Sequence, residues 1–300
     1  MEKGRKVKSA ALQLIIQMPR EIWFGIHAPP EGRNFEETKH ICQVVEEAGF
    51  DLFTITDHFM NMRNPNGAGN HPLESWTTLA ALAAVTKRIK LGTLVTCYAY
   101  RRPTVLAKMA TTVDIISNGR LIFGIGAGWH KQEFDGFLGR FPPSKERLQG
   151  LRETIEICKS MFTNERTTYH GKLYTVNNVL NSPQPMQKPI PIMVGGSGEK
   201  VTLKIAAKHA DISHLFAADL NELEHKLSVL KIHCETAGRD YNEIRKATSM
   251  NLDNLETPST IEKIVNNIEE YKNRGIGLIT FRFSNLNDFQ LFSKKVIPRF

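Results

Sequence analysis

Strand-like apolar runs alternate with helix-like stretches eight times along the 300-residue chain, and this alternation limits the possible folds most strongly. The runs lack the two-residue alternation of a strand that is buried on one side, so both faces of each strand are expected to be buried. The predicted strands cover residues 21–29, 51–58, 89–97, 120–128, 189–196, 210–216, 244–251 and 276–283. This pattern predicts a closed parallel (β/α)8 TIM barrel.

The domain organisation follows from the same pattern. An open doubly wound sheet is the alternative, but such sheets usually carry a glycine fingerprint after the first strand, and residues 27–34 have none. We expect residues 21–300 to form one barrel domain with insertions, including a hairpin at 167–176. Residues 1–20 are expected to be an N-terminal extension. They imitate a signal peptide, but Gln13 and Gln17 interrupt the apolar stretch and no A-x-A-like cleavage site follows.

Composition narrows the class of protein. The four cysteines form no C-x-x-C pair, which argues against a disulfide framework or a structural zinc site and indicates a cytoplasmic protein. The net charge of +8 is spread along the chain without a nucleic-acid-binding motif. We therefore expect no nucleic-acid or membrane partner, and the basic balance would suit an acidic small molecule.

Several functional residue types stand where predicted strands end, which is where barrels of this kind form their active sites. Asp57 and His58 end the second strand, Trp129 follows the fourth and Arg282 lies in the eighth. The first strand offers only a lone His27, so no metal site is expected. The glycine-rich segment 194–200 either binds an anion through backbone N–H groups or is simply a flexible loop.

Four segments occur in an order that indicates a family. They are "TDHF", "HPLESWTTLAALAAVTKRIKLGTLVTC", "YRRPTVLAKMATTVDIISNGRLIFGIGAGWHKQEF" and "PIPIMVGGSGEK". Together they resemble the luciferase-like monooxygenase superfamily, and within it the coenzyme F420-dependent oxidoreductases. The specific motifs cover residues 21–216, and the remainder matches in pattern only.

The resemblance implies a homodimeric enzyme that transfers hydride between the deazaflavin cofactor F420 and a small organic substrate. An FMN-dependent monooxygenase on the same barrel and a non-catalytic cofactor-binding protein remain alternatives, with a metal-dependent hydrolase a distant one. His58 is the acid–base candidate that the resemblance implies, because a histidine can exchange a proton near neutral pH. Glu133 is a second candidate, although it could also be an exposed helix carboxylate.

The resemblance also implies a set of residues around the cofactor. Asp57 would hydrogen-bond the ring, and a cis peptide at Leu94–Val95 would support it. Thr96 and Asn118 would contact the ring or its ribityl chain, while Trp129 would line the substrate cavity. Arg282 is a further cavity candidate from its strand-end position, or it is simply a solvated strand end. The N–H groups of Gly195, Gly196 and Ser197 would hold the phosphate, so Gly196→Val is expected to weaken cofactor binding more than it lowers thermal stability.

Overall fold

A computed structural model describes residues 20–62, 64, 72–252, 255–283 and 285–300. The predicted N-terminal extension therefore lies outside the described residues except for Arg20. The Arg20 guanidinium donates to the Gly49 carbonyl oxygen at 2.7 Å and to Oδ1 of Asp51 at 2.8 Å.

Eight parallel strand positions close into the predicted barrel. In chain order the strands are β1 (Trp23–His27), β2 (Leu52–Ile55), β3 (Lys90–Thr93), β4 (Thr96–Cys97), β5 (Leu121–Gly126), β6 (Arg166–His170), β7 (Thr175–Leu180), β8 (Ile192–Gly195), β9 (Ile212–His214), β10 (Arg245–Leu252) and β11 (Ile276–Phe283). The order around the barrel is β3-β2-β1-β11-β10-β9-β8-β5-β4, and pairing of β3 with β5 closes it. Strands β6 and β7 form the predicted hairpin outside the barrel.

Helices surround the barrel between the strands. They are α1 (Phe35–Glu47), α2 (Ser75–Val85), α3 (Pro103–Ile116), α4 (Lys131–Leu138), α5 (Ser144–Thr163), α6 (Thr202–His209), α7 (Leu220–Ala237), α8 (Pro258–Asn273) and α9 (Asn287–Lys295). Asn34 and Glu37 form a capping box at the start of α1, and Pro103 occupies the first turn of α3. Helix α4 was not predicted as a separate element. No helix of the described residues is long and apolar enough to cross a bilayer.

The alternation of side chains along the strands defines two apolar regions. Outward residues such as Ile26 and Phe281 join the main cluster between barrel and helices. A smaller cluster fills the barrel interior and consists of Leu52, Leu94, Ile122, Met193, Ile212, Ala247 and Leu278. Because side chains two residues apart share a face, the polar residues that follow on these strands also point inward, at the carboxyl end of the barrel.

Candidate active site

His58, Trp129 and Glu133 meet at the carboxyl ends of the strands. The ring centroids of His58 and Trp129 lie 5.7 Å apart, and the Trp129 side chain is largely exposed. Gly195 ends β8 at the same end of the barrel, as predicted. The opening at the carboxyl end of the barrel, around which His58, Trp129, Glu133 and Gly195 lie, is called the mouth below.

Glu133 is a buried residue in the first turn of α4 and is not an exposed helix carboxylate. Its Oε2 accepts a hydrogen bond from Nδ1 of His58 at 2.7 Å, and the Tyr100 hydroxyl donates to the same oxygen. Its Oε1 accepts from the backbone N–H groups of Phe59 and Met60 at 2.7 and 3.0 Å. One carboxylate thus fixes both the imidazole and the backbone that follows it.

The hydrogen bonds decide the charge of Glu133. Burial raises the pKa of this carboxyl, but the hydrogen bonds from His58 and Tyr100 outweigh burial and hold the pKa below its ordinary value. An ionised Glu133 can only accept, so Nδ1 of His58 is the donor. The Nε2 atom of His58 is then the one available to take or give a proton.

Asp57 is also buried, but its partners lie within the protein. Arg101 donates to Oδ2 and Oδ1 of Asp57 at 2.7 and 3.0 Å, and the Thr96 hydroxyl donates to Oδ2 as well. Arg101 pairs in addition with Glu74, and Nε1 of Trp76 donates to the Thr96 hydroxyl at 3.1 Å. Both carboxylate oxygens of Asp57 and the hydroxyl of Thr96 are therefore already engaged. These contacts anchor the end of β2, and the predicted contacts of Asp57 and Thr96 with a cofactor ring stay predictions.

The Leu94–Val95 peptide is cis, which confirms that prediction. The Val95 side chain lies against Gly126 and Gly195, where an added Cβ would come within 2.7 Å of it. Larger residues at either glycine would displace Val95. The segment thus forms part of the floor of the mouth.

The glycine-rich loop differs in detail from the predicted phosphate site. The Gly196 N–H donates to the His214 carbonyl at 3.1 Å, so Gly196 cannot supply the donor that was expected for the phosphate. The Gly195 N–H lies within strand β8. The N–H groups of Ser197 and Gly198 have no acceptor among the described residues. The Ser197 hydroxyl accepts from the Phe216 N–H at 2.6 Å and keeps its own proton to donate.

The backbone conformation of Gly196 changes what is expected of Gly196→Val. Its φ is +133°, and an added Cβ would lie 3.0 Å from Cγ2 of Thr202. A valine there would strain the fold as well as the loop. The expectation that Gly196→Val acts mainly on cofactor binding is therefore revised.

The prediction for Asn118 is wrong. Asn118 follows α3 and precedes β5, which places it at the amino end of the barrel, opposite the mouth. Its φ of +55° and the Gly119 N–H bond to the Asp114 carbonyl show a helix C-terminal turn. Small polar residues and glycines occur in turns at both ends of a barrel. The presence of Asn118 and Gly119 in a turn therefore did not tell the amino end of the barrel from the carboxyl end.

Two further histidines lie inside the mouth, beside the exposed Arg282. Burial, with smaller contributions from His214, Arg282 and His58, lowers the pKa of His27 to about 3. Burial also lowers the pKa of His214 to about 3, together with the charge of Arg282. Both imidazoles are therefore neutral at ordinary pH.

Sequence reasoning missed Arg101, Glu74 and Tyr100. The only sequence signal for Arg101 was that two arginines, Arg101 and Arg102, precede the proline that starts α3. The sequence did not indicate which of the two side chains points into the protein. Glu74 is the N-cap residue of α2 and accepts from the Trp76 and Thr77 N–H groups. No group of three or more acidic, histidine or cysteine side chains in the described ranges is arranged to hold a metal.

Comparison with known proteins shows what the chain is similar to. The model of the luciferase-like monooxygenase family matches residues 14–273. The F420-dependent glucose-6-phosphate dehydrogenase of Gordonia bronchialis is 30% identical over 232 residues, covering 76% of this chain and 67% of the relative. The pyrimidine monooxygenase RutA of Klebsiella pneumoniae is 30% identical over 198 residues, covering 65% of this chain and 53% of the relative. The chain thus spans about two thirds and about half of the lengths of these curated relatives.

Solved structures share the fold. The coenzyme F420-dependent tetrahydromethanopterin reductase from Methanopyrus kandleri superposes with a TM-score of 0.80 at 21% identity, covering 94% of this chain and 100% of that one. An F420-dependent secondary alcohol dehydrogenase in complex with an F420-acetone adduct gives 0.81 at 17% identity, covering 92% and 98%. With the family model matched over most of its length, the chain belongs to the luciferase-like monooxygenase family of enzymes.

Proposed function

We propose that the protein is an F420-dependent oxidoreductase that transfers hydride between the deazaflavin and a small organic substrate. The observation that carries this proposal is the His58–Glu133 pair at the mouth, beside the Val95 floor and the N–H groups of Ser197 and Gly198, which find no acceptor in the described part of the chain. The F420-dependent dehydrogenases among its relatives and structural neighbours support the choice of cofactor.

The residues present fit such a cofactor. The N–H groups of Ser197 and Gly198 and the Ser197 hydroxyl proton would bind its phosphate at the approach to helix α6. The deazaflavin, when bound, supplies or accepts the hydride. His58 takes or gives the accompanying proton at Nε2, while Glu133 holds the imidazole through Nδ1. The indole of Trp129 packs edge-on against the His58 imidazole, with ring centroids 5.7 Å apart.

An FMN-dependent monooxygenase is the second candidate, because RutA relatives match the chain at similar identity. The same loop would hold the phosphate of either cofactor. A non-catalytic cofactor-binding protein is disfavoured, because the chain belongs to a family of enzymes.

Cofactor titration tests the proposal first. We expect the purified protein to bind F420 tightly and FMN weakly, followed by the fluorescence of each cofactor. Tight binding of FMN without binding of F420 would identify the monooxygenase instead.

A variant of His58 tests its role. His58→Ala should slow single-turnover bleaching of reduced F420 with a competent acceptor by about 10²–10⁴-fold, which is the usual worth of acid–base assistance. Cofactor affinity should change far less, because His58 lies away from the 197–198 loop. An unchanged rate would show that His58 only lines the mouth. His130→Ala is the matched control, because its imidazole is a near neighbour of Glu133 at 3.7 Å but makes no hydrogen bond to it.

A further inference from the structure

A second cavity lies at the amino end of the barrel, opposite the mouth. Its volume is about 430 Å³, and the cationic and aromatic side chains of its lining are Trp23, Lys90, Arg245 and Lys246. Trp23 begins β1 and His27 ends it at the mouth, so the two lie about 13 Å apart at a rise of about 3.3 Å per residue. Trp23 packs against the interior apolar cluster, which separates this cavity, called the basal cavity below, from the mouth.

Two cations meet at the indole of Trp23. The guanidinium carbon of Arg245 lies 4.0 Å from the ring centroid, and Nζ of Lys90 lies 5.2 Å from it. The two cationic groups are therefore at most about 9 Å apart, a distance that one phosphate group spans with a hydrogen bond of about 2.8 Å on either side. The attraction of an aromatic face leaves the N–H groups at the edge of each cation available to a ligand.

Arg245 uses only one of its nitrogens for hydrogen bonds within the described protein. Its Nη1 donates to the Gly277 carbonyl oxygen at 2.7 Å and to the Glu21 carbonyl oxygen at 3.3 Å. Nε and Nη2 of Arg245 and Nζ of Lys90 have no acceptor among the described residues. A guanidinium fork matches two oxygens of a phosphate, and an ammonium group binds a third. The donors that a phosphate group requires are therefore present.

Three carboxylates line the basal cavity, and two of them are already paired. Glu21 lies 3.1 Å from Lys272, and Glu243 lies 3.1 Å from Arg239. Asp211 is the third, and it pairs with no cation in the ranges that the structure describes; its Oδ2 accepts from a backbone N–H group at 2.8 Å. One negative charge of the lining is thus left to balance the cations.

The cations of the lining outnumber that one charge. Lys90, Arg245 and Lys246 form no ion pair with any carboxylate of the described residues, so two positive charges remain after Asp211 is counted. A phosphate monoester carries a charge of about −1.5 to −2 at pH 7, which matches this excess better than the single charge of a carboxylate does. Lys246 adds charge without direct contact, because its Nζ lies over the Tyr241 ring at 4.1 Å. Burial lowers the pKa of Arg245 and Lys246, and a bound anion would stabilise the charged form of both.

We propose that the basal cavity binds a small phosphate monoester: the phosphate bridges Arg245 and Lys90 beside Trp23, and the organic part fills the rest of the cavity. Cavities of about 300–1,000 Å³ hold small organic molecules, and a phosphate group alone would leave most of this one empty. The inference does not rest on the proposed function, because the His58–Glu133 pair lies at the other end of the barrel. The monoester is a second ligand, distinct from the substrate and the cofactor.

Isothermal titration of the purified protein at low ionic strength, without F420, tests the proposal. The probes are glycerol 3-phosphate, glycerol and inorganic phosphate. We expect glycerol 3-phosphate to bind, inorganic phosphate to bind more weakly and glycerol not to bind. Absence of binding by glycerol 3-phosphate would overturn the proposal. If inorganic phosphate bound as tightly as the ester, the organic part would have no role and a monoester site would be wrong.

Variants locate the bound phosphate. Arg245→Met and Lys90→Met should each weaken glycerol 3-phosphate by about tenfold to a hundredfold, the usual worth of a hydrogen bond to a charged group. Arg245→Lys keeps the charge but loses the fork, so it should lose less. Arg282→Met is the matched control, because it removes an exposed arginine at the mouth and should leave the affinity unchanged.

The control also supplies the result that contradicts the location. If Arg282→Met weakened glycerol 3-phosphate as much as Arg245→Met does, the phosphate would bind at the mouth and the proposal would be wrong. Melting curves of each variant separate loss of folding from loss of binding. Lys90→Met keeps the test decisive if Arg245→Met does not fold, because the Lys90 side chain donates no hydrogen bond to the described residues.

Discussion

Glu133 shows how burial and hydrogen bonding together define the role of a single residue. A carboxylate that is buried and accepts from two side chains and two backbone N–H groups has no lone pair left for a substrate. We therefore propose that it is not the acid–base group that its sequence position suggested. Its contacts make it a positioning residue for His58.

We expect Glu133→Gln to lower the rate of hydride transfer by about tenfold to a hundredfold, the usual worth of a hydrogen bond to a charged group. The amide has to present its N–H₂ group either to His58 or to the backbone donors, so one set loses its acceptor. The KM for the substrate and the affinity for F420 should stay nearly constant, which single-turnover kinetics and titration measure. Tyr100→Phe, which removes only one donor, is the control and should lose less. A larger loss in Tyr100→Phe would assign the proton transfer to the phenol instead.

The pairing of His58 with Glu133 was not predictable from the sequence. The two residues are 75 positions apart, and a glutamate in the first turn of a helix is common for electrostatic reasons alone. His58 itself was predictable, because it directly follows an apolar strand, where parallel barrels place their reactive groups.

Three elements meet at Arg101. Its guanidinium joins Asp57 at the end of β2, Thr96 in β4 and Glu74 at the start of α2. Burial lowers the pKa of Arg101, but Asp57 and Glu74 outweigh burial and raise it, so the guanidinium stays charged. The segment that presents His58 to the mouth is held from its other side by this contact.

We expect Arg101→Met to lower the free energy of unfolding by about 3–5 kcal/mol, because it leaves the Asp57 charge buried without its partner. Chemical denaturation measures this. Arg102→Met, at the neighbouring exposed arginine, is the control and should change little. Adding Asp57→Asn to Arg101→Met should recover part of the loss, since no buried charge then remains. If adding Asp57→Asn lowered the free energy of unfolding below that of Arg101→Met, an unpaired buried Asp57 charge would not be the cause of the loss.

Elements were predicted more reliably than their contacts. The eight barrel strands follow from continuous apolar runs. Each strand lies inside its predicted range, except that β10 extends one residue beyond it, and β3 and β4 divide the third range. Helix α4 was missed because it has eight residues and directly follows a strand-end segment, so its period is too short to recognise. Asn118 was predicted to lie at the carboxyl end of the barrel but lies at the amino end, because turns at the two ends of a strand contain similar residues.

Burial of three histidines has a consequence for the whole molecule, because each of them stays neutral in the folded protein. The pKa of His27 and His214 falls from 6.5 to about 3, and that of His209 to about 4, in each case chiefly through burial. Below pH 6.5 the unfolded chain binds a proton at each of these residues and the folded protein does not. Stability is therefore fully present above pH 6.5 and falls as the pH is lowered towards 4.

We expect the free energy of unfolding to fall between pH 6.5 and 4 with a slope of about 1.4 kcal/mol per pH unit for each of these histidines. Urea denaturation at a series of pH values measures the slope. His209→Gln, remote from the mouth, should reduce the slope by about 1.4 kcal/mol per pH unit, and adding His27→Gln should reduce it by about the same amount again. Above pH 6.5 the curves of variant and parent should run parallel, because the imidazoles are neutral in both states. A slope unchanged by both substitutions would mean that other groups, such as the buried carboxylates, govern the acid lability of the barrel.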